Sequence, residues 1–166
     1  MPALHLREPV PTLLDFVSAA THNPRTSVAN TICTIMPTLL LIDDDPAILP
    51  QQVRLTFPSP NYQVTVAATG AEGLQKFEQL GPDAVLLDLR LPDQTGLELY
   101  HKIREVDRRV PIIFITMTKG ADDAIEAMKL GAFDYLFKPV DLKQLQRVVE
   151  EAVEVSRRMR EPAVVP

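Results

Sequence analysis

The stretch Ala84-Val85-Leu86-Leu87-Asp88-Leu89-Arg90-Leu91-Pro92-Asp93-Gln94-Thr95-Gly96-Leu97-Glu98 passes from strand to helix within fifteen residues. Its first four residues form an unbroken apolar run, which suits a strand covered on both faces. An acid, Asp88, closes the run. Thr95 with Glu98 is a capping box, and Leu97, Tyr100 (or His101), Ile103 and Arg104 follow as the stripe of a helix.

The same alternation repeats on both sides. Upstream, Thr38-Leu39-Leu40-Leu41-Ile42 is a second apolar run closed by acids, and Tyr62-Gln63-Val64-Thr65-Val66 alternates as a half-buried strand does. Downstream, Ile112-Ile113-Phe114-Ile115 and Phe133-Asp134-Tyr135-Leu136-Phe137 complete five strands. Helices are predicted between them. Asp45 before Pro46 reads as a cap with proline at the first helical position. Thr69 with Glu72 is a capping box, Asp141 with Gln144 resembles one, and Ile125, Met128 and Leu130 give another stripe. Pro50 is placed in the second turn of the first helix, where a local kink is expected. In the last helix Leu142, Leu145, Val149, Ala152, Ser156 and Met159 form a seam of coiled-coil type. A second stripe, Val148 and Val155, is left to face the sheet, and beyond Val153 the seam reads as a surface for a partner. Five strands alternating with five helices define an α/β fold, a doubly wound five-stranded parallel sheet over residues 37–156. Right-handed crossovers put helices on both faces.

Composition bounds the rest. The chain has 166 residues, is 46% hydrophobic and carries a formal charge of -5, which argues against a nucleic-acid binder. No run approaches the roughly 18 apolar residues that span a bilayer. The stretch Leu13 to Ala20 is broken by Asp15 and follows no basic cluster, so no signal peptide is read there. A lone cysteine, Cys33, excludes a disulfide framework and fits a reducing compartment; the expected location is cytoplasmic. Residues 1–36 hold four prolines and no glycine and read as a disordered extension. Met36 stands before the first strand as an alternative start. Residues 157–166 read as a helix end, stopped by Pro162, and a linker stub. Arg157, Arg158 and Arg160 are balanced by Glu154 and Glu161, so direct DNA binding is not expected. His5, His22 and His101 show no ligand spacing.

In open parallel sheets ligands bind outside the carboxyl ends of the strands. At those ends this chain places Asp43-Asp44-Asp45, Asp88, Thr116 and Lys138-Pro139. Asp45 is accounted for as a helix cap; one cap does not explain Asp43 and Asp44 as well. Like charges about 4 Å apart cost about 1 kcal/mol in water and roughly 4 near a protein surface. A divalent cation relieves that repulsion, and Mg²⁺ suits a site of one or two carboxylates plus phosphate oxygens. A carboxylate can then act as nucleophile and carry an aspartyl-phosphate. Lys138 supplies a fixed positive charge, and Thr116 a hydroxyl donor.

Leu41-Ile42-Asp43-Asp44-Asp45, Leu86 to Gly96, Ile115-Thr116 and Gly131 to Pro139 resemble, in order and spacing, the receiver domain of two-component response regulators, the CheY-like superfamily. The resemblance covers residues 37 to about 156, and the run Gly131 to Lys138 with the tail Val153 to Pro162 is most similar to receivers of NtrC-type regulators. It implies a flavodoxin-like strand order 2-1-3-4-5. It implies that Asp88 accepts a phosphoryl group from a sensor histidine kinase or phosphotransfer protein. Mg²⁺ would be held by Asp44 and Asp88 with the backbone carbonyl of Arg90, Asp43 acting mainly through water. Lys138 would pair with the phosphate, Pro139 would follow a cis peptide, Thr116 would move toward the phosphoryl group, and Tyr135 would swing inward. The switched surface would be the fourth helix, fifth strand and fifth helix, with a homodimer through the C-terminal helices. Met117 departs from the small residue usual after the switch threonine and is expected to slow access of water to the phosphate. NtrC-type receivers usually precede an ATPase domain, and no phosphate-binding glycine loop occurs here; the chain is a stand-alone receiver or a piece of a larger regulator.

Two other readings use the same residues. Asp43 and Asp45 have the D-x-D spacing of haloacid-dehalogenase-like phosphatases, which would make the protein an enzyme. That family wants Thr or Val at the position of Ala47, and it leaves Asp88 and Lys138-Pro139 without a role. A receiver-fold interaction module that is never phosphorylated is the second alternative. The receiver reading makes the chain a phosphoryl acceptor, not an enzyme.

Overall fold

The computed structural model describes residues 36–117 and 119–161. The expectations for the N-terminal extension and for the stub after Glu161 lie outside the described residues. Five strands alternate with five helices: β1 (Thr38–Ile42), α1 (Ile48–Thr56), β2 (Gln63–Ala67), α2 (Gly70–Leu80), β3 (Ala84–Leu87), α3 (Gly96–Val106), β4 (Ile112–Thr116), α4 (Ala121–Lys129), β5 (Asp134–Phe137) and α5 (Leu142–Arg160). All neighbouring strands pair in parallel, in the order β2-β1-β3-β4-β5.

The alternation of side chains along each strand divides the core in two. Leu39, Leu41, Leu86, Ile113 and Ile115 face α1 and α5, where Val53, Leu145 and Val149 close the layer. Leu40, Ile42, Val85, Leu87, Ile112 and Phe114 face the opposite side, against Phe77, Leu99, Ile103 and Ala127. Both faces are dry, so β1, β3 and β4 had to be continuous apolar runs. Each fully buried Leu or Ile contributes about 1.5–3 kcal/mol relative to exposure.

Several local expectations are corrected. The first helix begins at Ile48, not Pro46, although Asp45 still caps it: its carboxylate accepts the N–H groups of Ala47, Ile48 and Leu49. Pro50 is thereby the third helical residue, where an N–H has no partner within the helix, so the ring removes no bond and the expected kink loses its cause. In α4 the large residues Ile125 and Met128 face outward, half exposed, while Ala127 is the residue buried against the sheet. The α5 seam is not free either. Leu145, Val148, Val149, Ala152, Val153 and Ser156 form one wide stripe, all of it buried, and only its ends at Leu142 and Met159 are exposed. A stripe this wide belongs to a helix lying on a sheet, not to a two-residue coiled-coil seam. The last turn is fastened by Arg160, which donates to Asp83 at 2.8 Å and to the carbonyls of Gly81 and Pro82.

The capping box of α3 is complete: Thr95 Oγ1 accepts from Glu98 N, and Glu98 accepts from Thr95 N. The backbone and hydroxyl donors of Thr95 hold the Glu98 carboxyl below its ordinary value. A depressed carboxylate stabilises the fold above its unfolded pKa, and that contribution is lost as pH falls through the folded value. In thermal denaturation Glu98→Gln is expected to melt below wild type at neutral pH, with the gap closing in acid. Thr95→Ala is expected to cost about 1 kcal/mol. A Glu98→Gln gap that does not change with pH would contradict the charge argument.

Candidate functional site

Register builds the site. Ile42 and Leu87 are paired across β1 and β3, so the next residues, Asp43 and Asp88, emerge side by side. Main-chain bonds continue the sheet past its last pairs: Asp88 N–H donates to Ile42 at 2.9 Å, and Asp43 N–H to Ala67 at 3.0 Å. Thr116 ends β4, and Lys138 N–H donates to its carbonyl at 2.9 Å. The peptide Lys138-Pro139 is cis, as expected. Asp43, Asp44, Asp88, Arg90, Thr116 and Lys138 line one cleft at the carboxyl end of the sheet.

Each buried carboxylate is oriented by the backbone. Asp43 Oδ1 accepts from Asp45 N at 2.8 Å, and Asp88 Oδ1 from Arg90 N at 3.1 Å. Their other oxygens face one ammonium: Lys138 Nζ lies 2.5 Å from Asp43 Oδ2 and 2.9 Å from Asp88 Oδ2. Asp43 is 1% exposed and Asp88 7% exposed; Asp44 stands at the open side. Burial pushes the Asp43 carboxyl above its ordinary value, with the Lys138 hydrogen bond pulling the other way. Burial alone would lower Lys138, but its bonds to Asp43 and Asp88 outweigh that and raise it. Oxygens of Asp43, Asp44 and Asp88 all lie within 4.8 Å of one another. Three carboxylates against one ammonium leave an acidic, oxygen-rich cluster, a donor set that fits a hard divalent cation.

Thr116 is buried, and Met117, 75% exposed, lines the same cleft as the carboxylates. Tyr135 is already inside, its ring packed near those of Phe114 and Phe137. The expected inward swing is therefore not needed to bury it. His5, His22 and Cys33 lie outside the described residues.

Two residues of the site had no assigned role in the sequence. A β-carbon on Gly96 would collide with the carbonyl oxygen of Asp88 and the α-carbon of Leu89, so α3 approaches the acidic loop only because this residue is glycine. Gly96 N–H donates to Leu89 at 2.7 Å. A glycine just after a capping threonine was the available signal. Asp93 accepts from Gly70 and Ala71, more than twenty residues away, and nothing local marks it.

Comparison with known proteins matches residues 39–150 to the family described as response regulator receiver domain. The chain is 35% identical over 125 residues to the transcriptional regulatory protein TrcR of Mycobacterium tuberculosis, covering 75% of this chain and 48% of TrcR. It is 37% identical over 118 residues to the transcriptional regulatory protein GlrR of Escherichia coli K12, covering 71% of this chain and 26% of GlrR. The chain thus spans about half the length of one relative and a quarter of the other, and the relatives include NtrC-type regulators. A CheY-like receiver domain from Methanospirillum hungatei JF-1 superposes with a TM-score of 0.68 at 29% identity, over 75% of this chain and 98% of that one.

Gly96→Ala is expected to destabilise the protein by about 1–3 kcal/mol, because the obstruction is backbone and not a movable side chain. Urea unfolding checks this; a wild-type midpoint would show that the loop and α3 do not meet as described.

Proposed function

The chain belongs to the response regulator receiver family, and on that premise we propose that Asp88 is its phosphoacceptor, fed by a sensor histidine kinase or a phosphotransfer protein. The observation that carries this reading is the shared contact of Lys138 with the buried carboxylates of Asp43 and Asp88. Asp88 Oδ2, the oxygen not held by Arg90 N–H, attacks phosphorus as the phosphorus–nitrogen bond of a phosphohistidine breaks. The imidazole leaves with the bonding pair and takes up a proton. Lys138 then exchanges its carboxylate partner for a phosphoryl oxygen. Asp44 and Asp88, with the Arg90 carbonyl and Asp43 through water, would hold Mg²⁺, which when bound supplies charge that offsets the phosphoryl oxygens.

Thr116 turns its hydroxyl toward the phosphoryl group, and Tyr135, already inward, is secured there as the switch. The readout is the surface of α4, β5 and α5. Self-association there uses the outward residues Ile125 and Met128 of α4 and Leu142 of α5, since the α5 stripe is committed to the sheet. The chain accepts a phosphoryl group and is not a turnover enzyme. Against the phosphatase reading, Asp45 already caps α1 with three hydrogen bonds. Among the described residues no helix is long and apolar enough to cross a membrane, in keeping with a cytoplasmic switch, either stand-alone or one part of a longer regulator.

With acetyl phosphate and Mg²⁺, intact-mass spectrometry is expected to show the gain of one phosphoryl group, absent with chelator and absent in Asp88→Asn. No gain in wild type, or an undiminished gain in Asp88→Asn, would overturn the assignment. Beryllofluoride with Mg²⁺ is expected to increase the sedimentation coefficient, and Met128→Asp to abolish the increase; identical sedimentation with and without it would remove the dimer from the account.

A further inference from the structure

We propose that Asp93 is a positioning residue, clamping the tip of the phosphoacceptor loop to the start of α2 and so holding the Arg90 carbonyl in place. The inference rests on the reading of Asp88 and Arg90 given above.

The loop from Asp88 to Gly96 is closed at its base. Gly96 N–H donates to Leu89 and Leu91 N–H to Gln94 at 3.3 Å, the two bonds that make an antiparallel bridge of Arg90 and Thr95. These bonds attach the loop to α3 but leave the tip, Pro92 and Asp93, projecting into solvent. There the carboxylate of Asp93 uses both oxygens on another element: Oδ1 accepts from Gly70 N at 2.8 Å and Oδ2 from Ala71 N at 2.9 Å. Those N–H groups open α2, have no partner within the helix and lie at its positive end, so the contact is charge-assisted. The neighbouring Gln94 lies across Gly70 and accepts from Lys102 of α3 at 2.6 Å. The tip is thus gripped between two helices.

A main-chain carbonyl that serves as a metal ligand has no rotamer with which to adjust. Its position is the position of its loop, and the outer anchors of that loop set how well it meets the ion. Thr69 provides the control. Its hydroxyl caps the same helix end by accepting from Glu72 N, yet it makes no bond to the loop.

The test is Mn²⁺ binding to the full chain, read from the paramagnetic resonance of free Mn²⁺. Asp93→Ala is expected to weaken binding by about 10-fold. Thr69→Ala is expected to lower thermal stability while keeping wild-type affinity. Asp93→Asn, with one acceptor oxygen in place of two, is expected to fall between wild type and Asp93→Ala, and against Thr69→Ala it carries the test should Asp93→Ala not fold. Equal affinity for Asp93→Ala and wild type, or an equal loss in Thr69→Ala, would overturn the clamp. A wild type that binds Mn²⁺ no better than Asp88→Asn would instead overturn the site itself, a distinct result visible before any change at Asp93.

Discussion

Two carboxylates held almost out of water, Asp43 and Asp88, face one ammonium, and the arrangement is stable only as a set. Lys138 with either acid alone would be an ordinary ion pair. With both, and with Asp44 at the open side, one positive charge answers three negative ones. Breaking such a buried pair by removing one member typically costs 3–5 kcal/mol, because the remaining charge is stranded. The same surplus of negative charge makes the cleft receptive to a hard divalent cation.

The topology exists to make that set. Parallel pairing of β1 with β3 delivers Asp43 and Asp88 in register, and β4 and β5 bring Thr116 and Lys138 to the same edge. No single loop supplies more than a part of the cluster. A slip of one residue would exchange the two faces of a strand and carry its terminal acid away from its neighbour across the sheet, so the pairing of Ile42 with Leu87 is what sets Asp43 beside Asp88. At the opposite, amino-terminal end of the strands, Arg160 and Asp83 close the fold, with Asp83 also accepting the N–H of Thr38 at the start of β1.

Much of this was legible in the sequence because the signals are local. Leu86-Leu87 ending in Asp88, and Leu41-Ile42 ending in Asp43, announce buried strands with acids at their carboxyl ends. Thr95 with Glu98 announces the helix that follows. What failed needed distance. The partners of Asp93 lie in another helix, and those of Arg160 lie more than seventy residues upstream. In α4 the largest apolar residues point outward while a small alanine packs on the sheet, so a search for bulk selects the wrong face. In α5 spacings of three and four residues fit a seam and a sheet-covering stripe equally well, and only the sheet beneath decides.

The most direct measurement is a crystal structure grown with Mg²⁺ and beryllofluoride. Beryllium is expected bonded to an oxygen of Asp88, with Lys138 in contact with a fluoride and Mg²⁺ ligated by Asp44, Asp88 and the Arg90 carbonyl. Beryllium bonded elsewhere, or an ordered Mg²⁺ that touches neither Asp44 nor Asp88, would contradict it.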